Sequence, residues 1–226
     1  FIALKLLKSN LFAKINLFSK DKEKNVLSGD ILFKQNKNRL RGVFDYTDNK
    51  IILKKADLRN EFLKGKLSGD IAFLPYFYFN LDFDLNGLNF NKLSNILFIL
   101  DKNNKDTLYN VSNKINGQID ISTNKVYSKY NLINSFESKI QVSNGDISID
   151  RLIFNLGKLG AADISGIVKN NGKFTNFKFE NNIFIDNQKK LFSKFGIYNK
   201  ENILSNLYVS GNFDLTKSSI RFNEIT

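Results

Sequence analysis

An apolar residue, a Gly two positions on, and apolar residues at the next two alternate positions recur five times in this chain. The copies read Leu27-x-Gly29-x-Ile31-x-Phe33, Leu40-x-Gly42-x-Phe44-x-Tyr46, Leu67-x-Gly69-x-Ile71-x-Phe73, Ile115-x-Gly117-x-Ile119-x-Ile121 and Val209-x-Gly211-x-Phe213-x-Leu215. A period of two is the mark of a β-strand with one buried face, because successive side chains point to opposite sides of the sheet. In every copy the Gly falls on the apolar face, and an interior strand Gly marks a bend, a bulge or a close approach to the backbone. Repetition of this unit predicts a sheet that curls around its own apolar face. The question of function becomes what fills the curl.

Chemistry is limited by what the chain lacks. There is no Cys, His, Met or Trp, and the single Pro is Pro75. Without Cys or His there is no thiolate zinc site, no imidazole base and no Ser-His-Asp triad. The acidic residues show no calcium-loop spacing. The chain is therefore read as non-enzymatic, with no metal and no cofactor. Lack of Cys precludes disulfides and so does not separate one compartment from another. A chain that opens Phe1-Ile2-Ala3 and holds no Met is read as an excerpt from a longer protein, with any leader or membrane anchor expected outside it. The longest apolar runs, Phe1 to Leu7 interrupted by Lys5 and Ile96 to Leu100, fall short of the roughly 20 residues a membrane span requires.

Charge is the tempting number, with 34 Lys and Arg against 22 Asp and Glu for a net +12. Nucleic-acid binding and attraction to anionic headgroups both fit such a balance. Yet Lys, Asn, Ile and Phe share A- or T-rich codons, and the chain holds 33 Asn and 22 Phe. The Lys are spread out, with Lys54-Lys55 and Lys189-Lys190 the tightest pairs, and Arg39, Arg41 and Arg59 are the only Arg before position 60. The charge is accordingly read as solvated surface. Nucleic acid is not expected as a partner, since the aromatics follow the apolar row rather than decorating a basic face.

Strands dominate the reading along the chain. Leu11, Ala13, Ile15 and Leu17 alternate with Phe12, Lys14, Asn16 and Phe18, a first strand with apolar residues on both faces. Strands follow at about 26–34, 39–47, 51–58 and 62–73. The cleanest alternation sets Phe77, Phe79, Leu81, Phe83 and Leu85 against Tyr78, Asn80, Asp82 and Asp84. From Gly87 the pattern changes, and a short helix is expected over about 90–100 with Asn91 as its N-cap. The polar stretch 101–113 reads as a loop or linker between a first segment, 1–100, and a second, 114–226. Beyond it, strands are expected at about 115–122, 135–142, 145–155, 159–169, 173–185 and 203–215, with a second short helix over 188–195. Asn144-Gly145 and Asn171-Gly172 are hairpin turns by sequence.

About a dozen strands with one apolar face each, and only two short helices, leave too little helix to cover the sheet. The expected class is mainly β: a long, curved, largely antiparallel sheet forming an apolar groove, with a β-sandwich as the alternative. An outer-membrane barrel is disfavoured, because Trp is absent and Phe sits in mid-strand rather than in girdles.

The stretch Gly65 to Phe73, then Pro75, the Phe77-to-Leu85 strand and Leu88-Asn89-Phe90-Asn91-Lys92-Leu93, resembles proteins of the AsmA family. Asn144-Gly145-Asp146-Ile147-Ser148-Ile149-Asp150, Leu156-Gly157-Lys158-Leu159-Gly160 and Ser165-Gly166-Ile167-Val168 are similar to that family's C-terminal region, so that most of residues 60–215 is covered. The segment before Leu27 and the stretch 101–113 have no counterpart in the pattern. The resemblance implies an envelope protein of a Gram-negative bacterium on the periplasmic side of the inner membrane, held by an anchor outside this sequence. It further implies phospholipid acyl chains as the partner, carried in a curled β-groove between inner and outer membranes. Lipid-facing candidates are Ile71, Phe73, Phe77, Phe79, Leu81, Phe83, Leu85, Ile119, Ile121, Phe177, Phe179, Phe213 and Leu215. The competing class is a structural or assembly β-domain whose apolar face packs against protein.

Overall fold

The computed structural model describes residues 2–6, 9–21, 26–99, 114–169, 176–198, 204–215 and 217–226. The first run of strands is β1 (Ile2–Leu6), β2 (Ser9–Asp21), β3 (Val26–Gln35), β4 (Asn38–Thr47), β5 (Lys50–Arg59), β6 (Leu63–Ala72) and β7 (Tyr78–Asn89). Helix α1 (Phe90–Ile99) follows directly. The second run is β8 (Asn116–Thr123), the two-residue β9 (Val126–Tyr127), β10 (Ser135–Ser143), β11 (Asp146–Asn155), β12 (Gly160–Val168) and β13 (Asn176–Ile185). Helix α2 (Gln188–Ser193), β14 (Asn206–Asp214) and β15 (Ser219–Ile225) complete it.

All of these strands belong to one open, curved sheet, laid out in chain order except that β9 pairs with the far end of β7. The neighbouring pairs are antiparallel except those of β7 with β9 and of β7 with β8, the latter running parallel from Tyr78 opposite Asn116 to Leu85 opposite Thr123. That ladder joins the two runs into a single sheet. Parallel neighbours cannot be linked by a tight hairpin and need a crossover; α1 begins it, and the expected linker 101–113 lies outside the described residues. The mainly antiparallel open sheet is thus the expected architecture, and the sandwich alternative is not what the chain forms.

The turns follow from local chemistry. Asp48 and Asn49 have φ of 49° and 59°, and Asn144 and Gly145 have 50° and 81°. Both central residues of a type I′ hairpin turn require positive φ, which Asn, Asp and Gly tolerate best. Asn171-Gly172 lies outside the described residues. Helix α1 departs from the sequence reading at its cap: Asn89, not Asn91, accepts the Lys92 backbone N–H at 3.0 Å. Strand β7 runs on as extended chain to Asn89, which brings that residue to the capping position. Asn91 instead accepts the backbone N–H of Lys129 at 2.8 Å and ties α1 to the turn after β9. At α2, Asn187 caps by accepting the Lys190 N–H at 3.0 Å.

Three strands, β1, β9 and β15, have no counterpart in the sequence reading. In β15 a bulge at Asn223 moves the apolar spacing from two to three, so Ile220, Phe222 and Ile225 do not alternate. Two clusters of buried residues stand out. One is Phe44, Leu53, Ala56 and Leu67 in the middle of the first run. The other, Leu156, Leu159, Ile185 and Leu191, gathers where α2 and a single 3-10 turn (Gly157–Leu159) sit over the end of the second run.

Candidate functional site

Register decides which side chains meet. One row crosses ten strands as Phe44, Leu53, Gly69, Leu81, Ile119, Ile140, Ile149, Gly166, Phe179 and Gly211, each opposite the next. A parallel row runs from Ile51 through Ile71, Phe79, Gly117, Val142, Ile147, Val168 and Phe177 to Phe213 and Ile220. Cross-strand partners point to the same side of a sheet, so these residues share one face over nearly the whole molecule. The third row includes Ile31, Gly42, Ala56, Leu67, Phe83 and Ile121, then Ser138, Leu152, Ile164, Asn181 and Val209. Thr123, Ser138 and Asn181 are the polar residues set into this face, and the Asn181 Oδ1 is buried with no hydrogen-bond partner.

Bulges keep the face in phase while they bend the strands. Beyond β2 the extra residues are Lys54, Asn86, Asp150 and Asn223, all polar and exposed. Each lets the apolar spacing switch from two to three, as in Leu53 to Ala56, Leu85 to Leu88 and Ile149 to Leu152. A β-bulge bends its strand and increases the local twist. Curvature of this kind explains how Ala56 reaches 0% exposure within a single sheet.

The glycines complete the surface. A Cβ built on Gly29 would lie 2.8 Å from Cζ of Phe44, one on Gly166 would lie 2.5 Å from Cε2 of Phe177, and one on Gly211 would lie 3.1 Å from Cζ of Phe179. Rings from one strand therefore lie across the glycines of another, an arrangement that places large flat groups where no side chain competes. Gly69 has φ of +132°, a conformation that side-chain-bearing residues rarely adopt.

Ten of the thirteen sequence candidates stand together on this face: Ile71, Phe79, Leu81, Phe83, Leu85, Ile119 and Ile121 at the junction of the two runs, and Phe177, Phe179 and Phe213 further along. Phe177 and Phe179 stack at 6.0 Å. Phe73 and Phe77 lie in the β6–β7 connection rather than in strands, with ring centroids 6.1 Å apart and Phe77 a further 6.2 Å from Phe79. Leu215 follows β14 in a turn. The members of the buried cluster in the first run, Phe44, Leu53, Ala56 and Leu67, are not among the candidates, although Phe44 and Leu67 belong to the Gly repeats. Phe136 and Phe154, stacked at 6.0 Å with Phe90 edge-on to Phe154, also escaped the sequence reading. Their signal was alternation in short strands of mixed polarity.

The opposite face is polar and internally paired. Ser28 donates its hydroxyl to Asp45 at 2.6 Å, and Lys54 reaches the same carboxylate at 2.6 Å. Lys50 pairs with Asp70 at 3.3 Å and Lys169 with Asp146 at 2.9 Å. Lys66 beside Asp57, and Lys37 beside Glu61 at 2.6 Å, hold both carboxyls below their ordinary range. Among the described residues there is no cluster of His, Cys, Asp and Glu fit to hold a metal, and no helix long and apolar enough to cross a membrane.

Fold and surface together define a class: a single open β-sheet whose repeated strands present one shared face of aliphatic and aromatic side chains. Comparison with known proteins finds no family model, no curated protein and no solved structure that matches the chain.

Proposed function

We propose that the chain is an AsmA-like envelope protein that binds or conducts phospholipid acyl chains along the shared face of its sheet. It acts on the periplasmic side of the inner membrane, between inner and outer membranes. One observation carries the reading: the aliphatic and aromatic rows run from β3 to β15 in one open sheet, with no second sheet to cover them among the described residues. At the two margins of that face the apolar residues are exposed, Leu17 and Leu27 on one side and Ile220, Phe222 and Ile225 on the other. Energetics favour an acyl guest. At about 0.8 kcal/mol per methylene, a 16-carbon chain leaving a bilayer for water costs on the order of 12 kcal/mol. A surface of Phe, Ile and Leu offsets most of that cost, and no catalytic group is required.

The test is site-specific photo-crosslinking after purification from bacterial membranes. A probe at Phe79 or Phe83 is expected to capture phospholipid, and the same probe at Asn80 or Asp82, on the opposite face, is not. Crosslinks only to protein, or equal labelling of both faces, would overturn the proposal in favour of a structural β-domain.

A further inference from the structure

Four basic residues from four successive strands stand side by side on the polar face. Lys34 is opposite Arg39, Arg39 opposite Arg59, and Arg59 opposite Lys64, on four consecutive strands. All four side chains are exposed, and none is in an ion pair among the described residues. At strand spacing the row spans about 14 Å. Like charges set directly opposite one another weaken a sheet. The next row inward shows the usual remedy, since Arg41, Asp57 and Lys66 alternate in sign and Lys66 pairs with Asp57. The cationic row has no such alternation, so its arrangement suits an external anion.

The row continues into a cleft of about 470 Å³ at the same end of the sheet, lined by Arg59, Lys64 and Lys125 together with Asn60, Asn86 and Tyr127. The one carboxylate there, Glu61, is engaged by Lys37 at 2.6 Å. The Lys125 ammonium lies over the Tyr127 ring, 5.2 Å from its centre. Exposed aromatic and aliphatic side chains occupy this end as well: Tyr130 in edge contact with Phe195 at 6.0 Å, then Ile197 and Tyr198, the last 87% exposed. Cations beside exposed Tyr and Phe match the interface of a bilayer, where ammonium and guanidinium groups meet headgroups and rings settle at their level.

We infer that the Lys34–Arg39–Arg59–Lys64 row and its adjoining cleft dock this end of the sheet onto an anionic phospholipid surface. The inference rests on the lipid reading for the choice of a bilayer over another polyanion, and it assigns to a specific place a part of the net +12 that sequence alone treats as solvated surface.

Vesicle co-sedimentation tests it, with the whole chain and vesicles of equimolar phosphatidylcholine and phosphatidylglycerol. Binding is expected to the mixed vesicles and not to phosphatidylcholine alone, and to fall as salt rises from about 0.1 M to 1 M and the screening length shortens. Each cation near such a surface contributes about fivefold in affinity. The double variant Arg39→Gln/Arg59→Gln is therefore expected to bind about 25-fold more weakly. Lys139→Gln/Lys178→Gln, which removes the same charge from exposed positions elsewhere on the sheet, is expected to lose much less. Equal loss in both variants, binding without preference for phosphatidylglycerol, or displacement from vesicles by an equal charge concentration of single-stranded oligonucleotide would each overturn the inference. Circular dichroism confirms that each variant is folded. Native mass spectrometry of co-purified lipid reads the acyl-binding proposal separately, so either can fail without the other.

Discussion

The ring of Phe79 occupies the space that a side chain on Gly117 would need: a Cβ built there would fall 2.6 Å from both Cγ and Cδ2 of the ring. The two residues are opposite each other in the parallel pairing of β7 with β8, where the two runs of strands meet. The junction therefore depends on a glycine that keeps one strand smooth so that a ring from its neighbour can lie across it.

Gly117→Ala is expected to destabilise the fold by about 1–3 kcal/mol, because the methyl meets both the ring and the Phe79 carbonyl oxygen. For a chain of this size that lowers the melting temperature by roughly 2–10 °C. Gly87→Ala is the control, since its new methyl would find nothing nearer than 3.6 Å. Thermal unfolding of the two variants should differ clearly.

Asn181→Leu is expected to raise stability. The amide oxygen is buried without a partner between Ile164 and Val209. Leaving a buried acceptor unsatisfied costs about 1–3 kcal/mol, and an apolar group of similar volume removes that penalty. Chemical denaturation should show a higher midpoint at unchanged slope. A lower midpoint would mean that the amide has a role in the face that burial alone does not reveal.

Phe83→Asp separates the two readings of the face. Phe83 packs against the Phe44, Leu53, Ala56 and Leu67 cluster, and an unpaired carboxylate is strongly disfavoured in a dry core. Where the face opens to lipid and water the carboxylate can reach solvent, so the variant is expected to fold while co-purified lipid falls. Melting temperature and lipid content measured on the same sample decide the matter. A variant that fails to fold points to protein packing at this strand, and one that folds with full lipid content removes Phe83 from the acyl-binding surface.

Acid should loosen two exposed ion pairs. The Lys66 ammonium hydrogen-bonds Asp57 and holds it below its ordinary 3.8, and Lys37 likewise holds Glu61 below 4.5. A depressed carboxyl stabilises the fold above its ordinary value, and that contribution disappears as pH falls through the lowered one. Lys37 is shifted upward from 10.5 by the same partner, so its share is lost at the alkaline end, as pH rises through the raised value. Side-chain carbon NMR titration should show Asp57 returning to the ordinary range in Lys66→Met, and high salt should narrow the difference.

Much of this protein is local and could be read from the chain. Alternation along Phe77 to Leu85, the Gly repeats and the Asn-Gly turn at 144–145 specify extended strands, a preferred face and tight reversals, because side-chain direction in a strand and positive φ in a turn depend on near neighbours alone. The alternation led to ten of the thirteen candidates that share the face, and its break at Gly87 marked the first short helix. Such signals failed where a bulge shifted the spacing, as at Asn223 in β15, and at the α1 cap, where the run of β7 carried the start of the helix to Asn89.

What the chain alone could not specify is partnership. Nothing near Gly117 in sequence announces that Phe79 will lie over it, and nothing near Arg39 announces Arg59 twenty positions on. Both juxtapositions come from register, which is fixed only when many strands pair at once and the apolar rows fall into phase across the sheet. The parallel junction of β7 and β8, the rings over glycines and the unbroken cationic row are consequences of that collective choice. Sequence determined the strands and the face each one prefers. Tertiary structure decided what each strand stands beside, because a one-residue slip in any ladder would turn its apolar side chains to the opposite face and separate the charges.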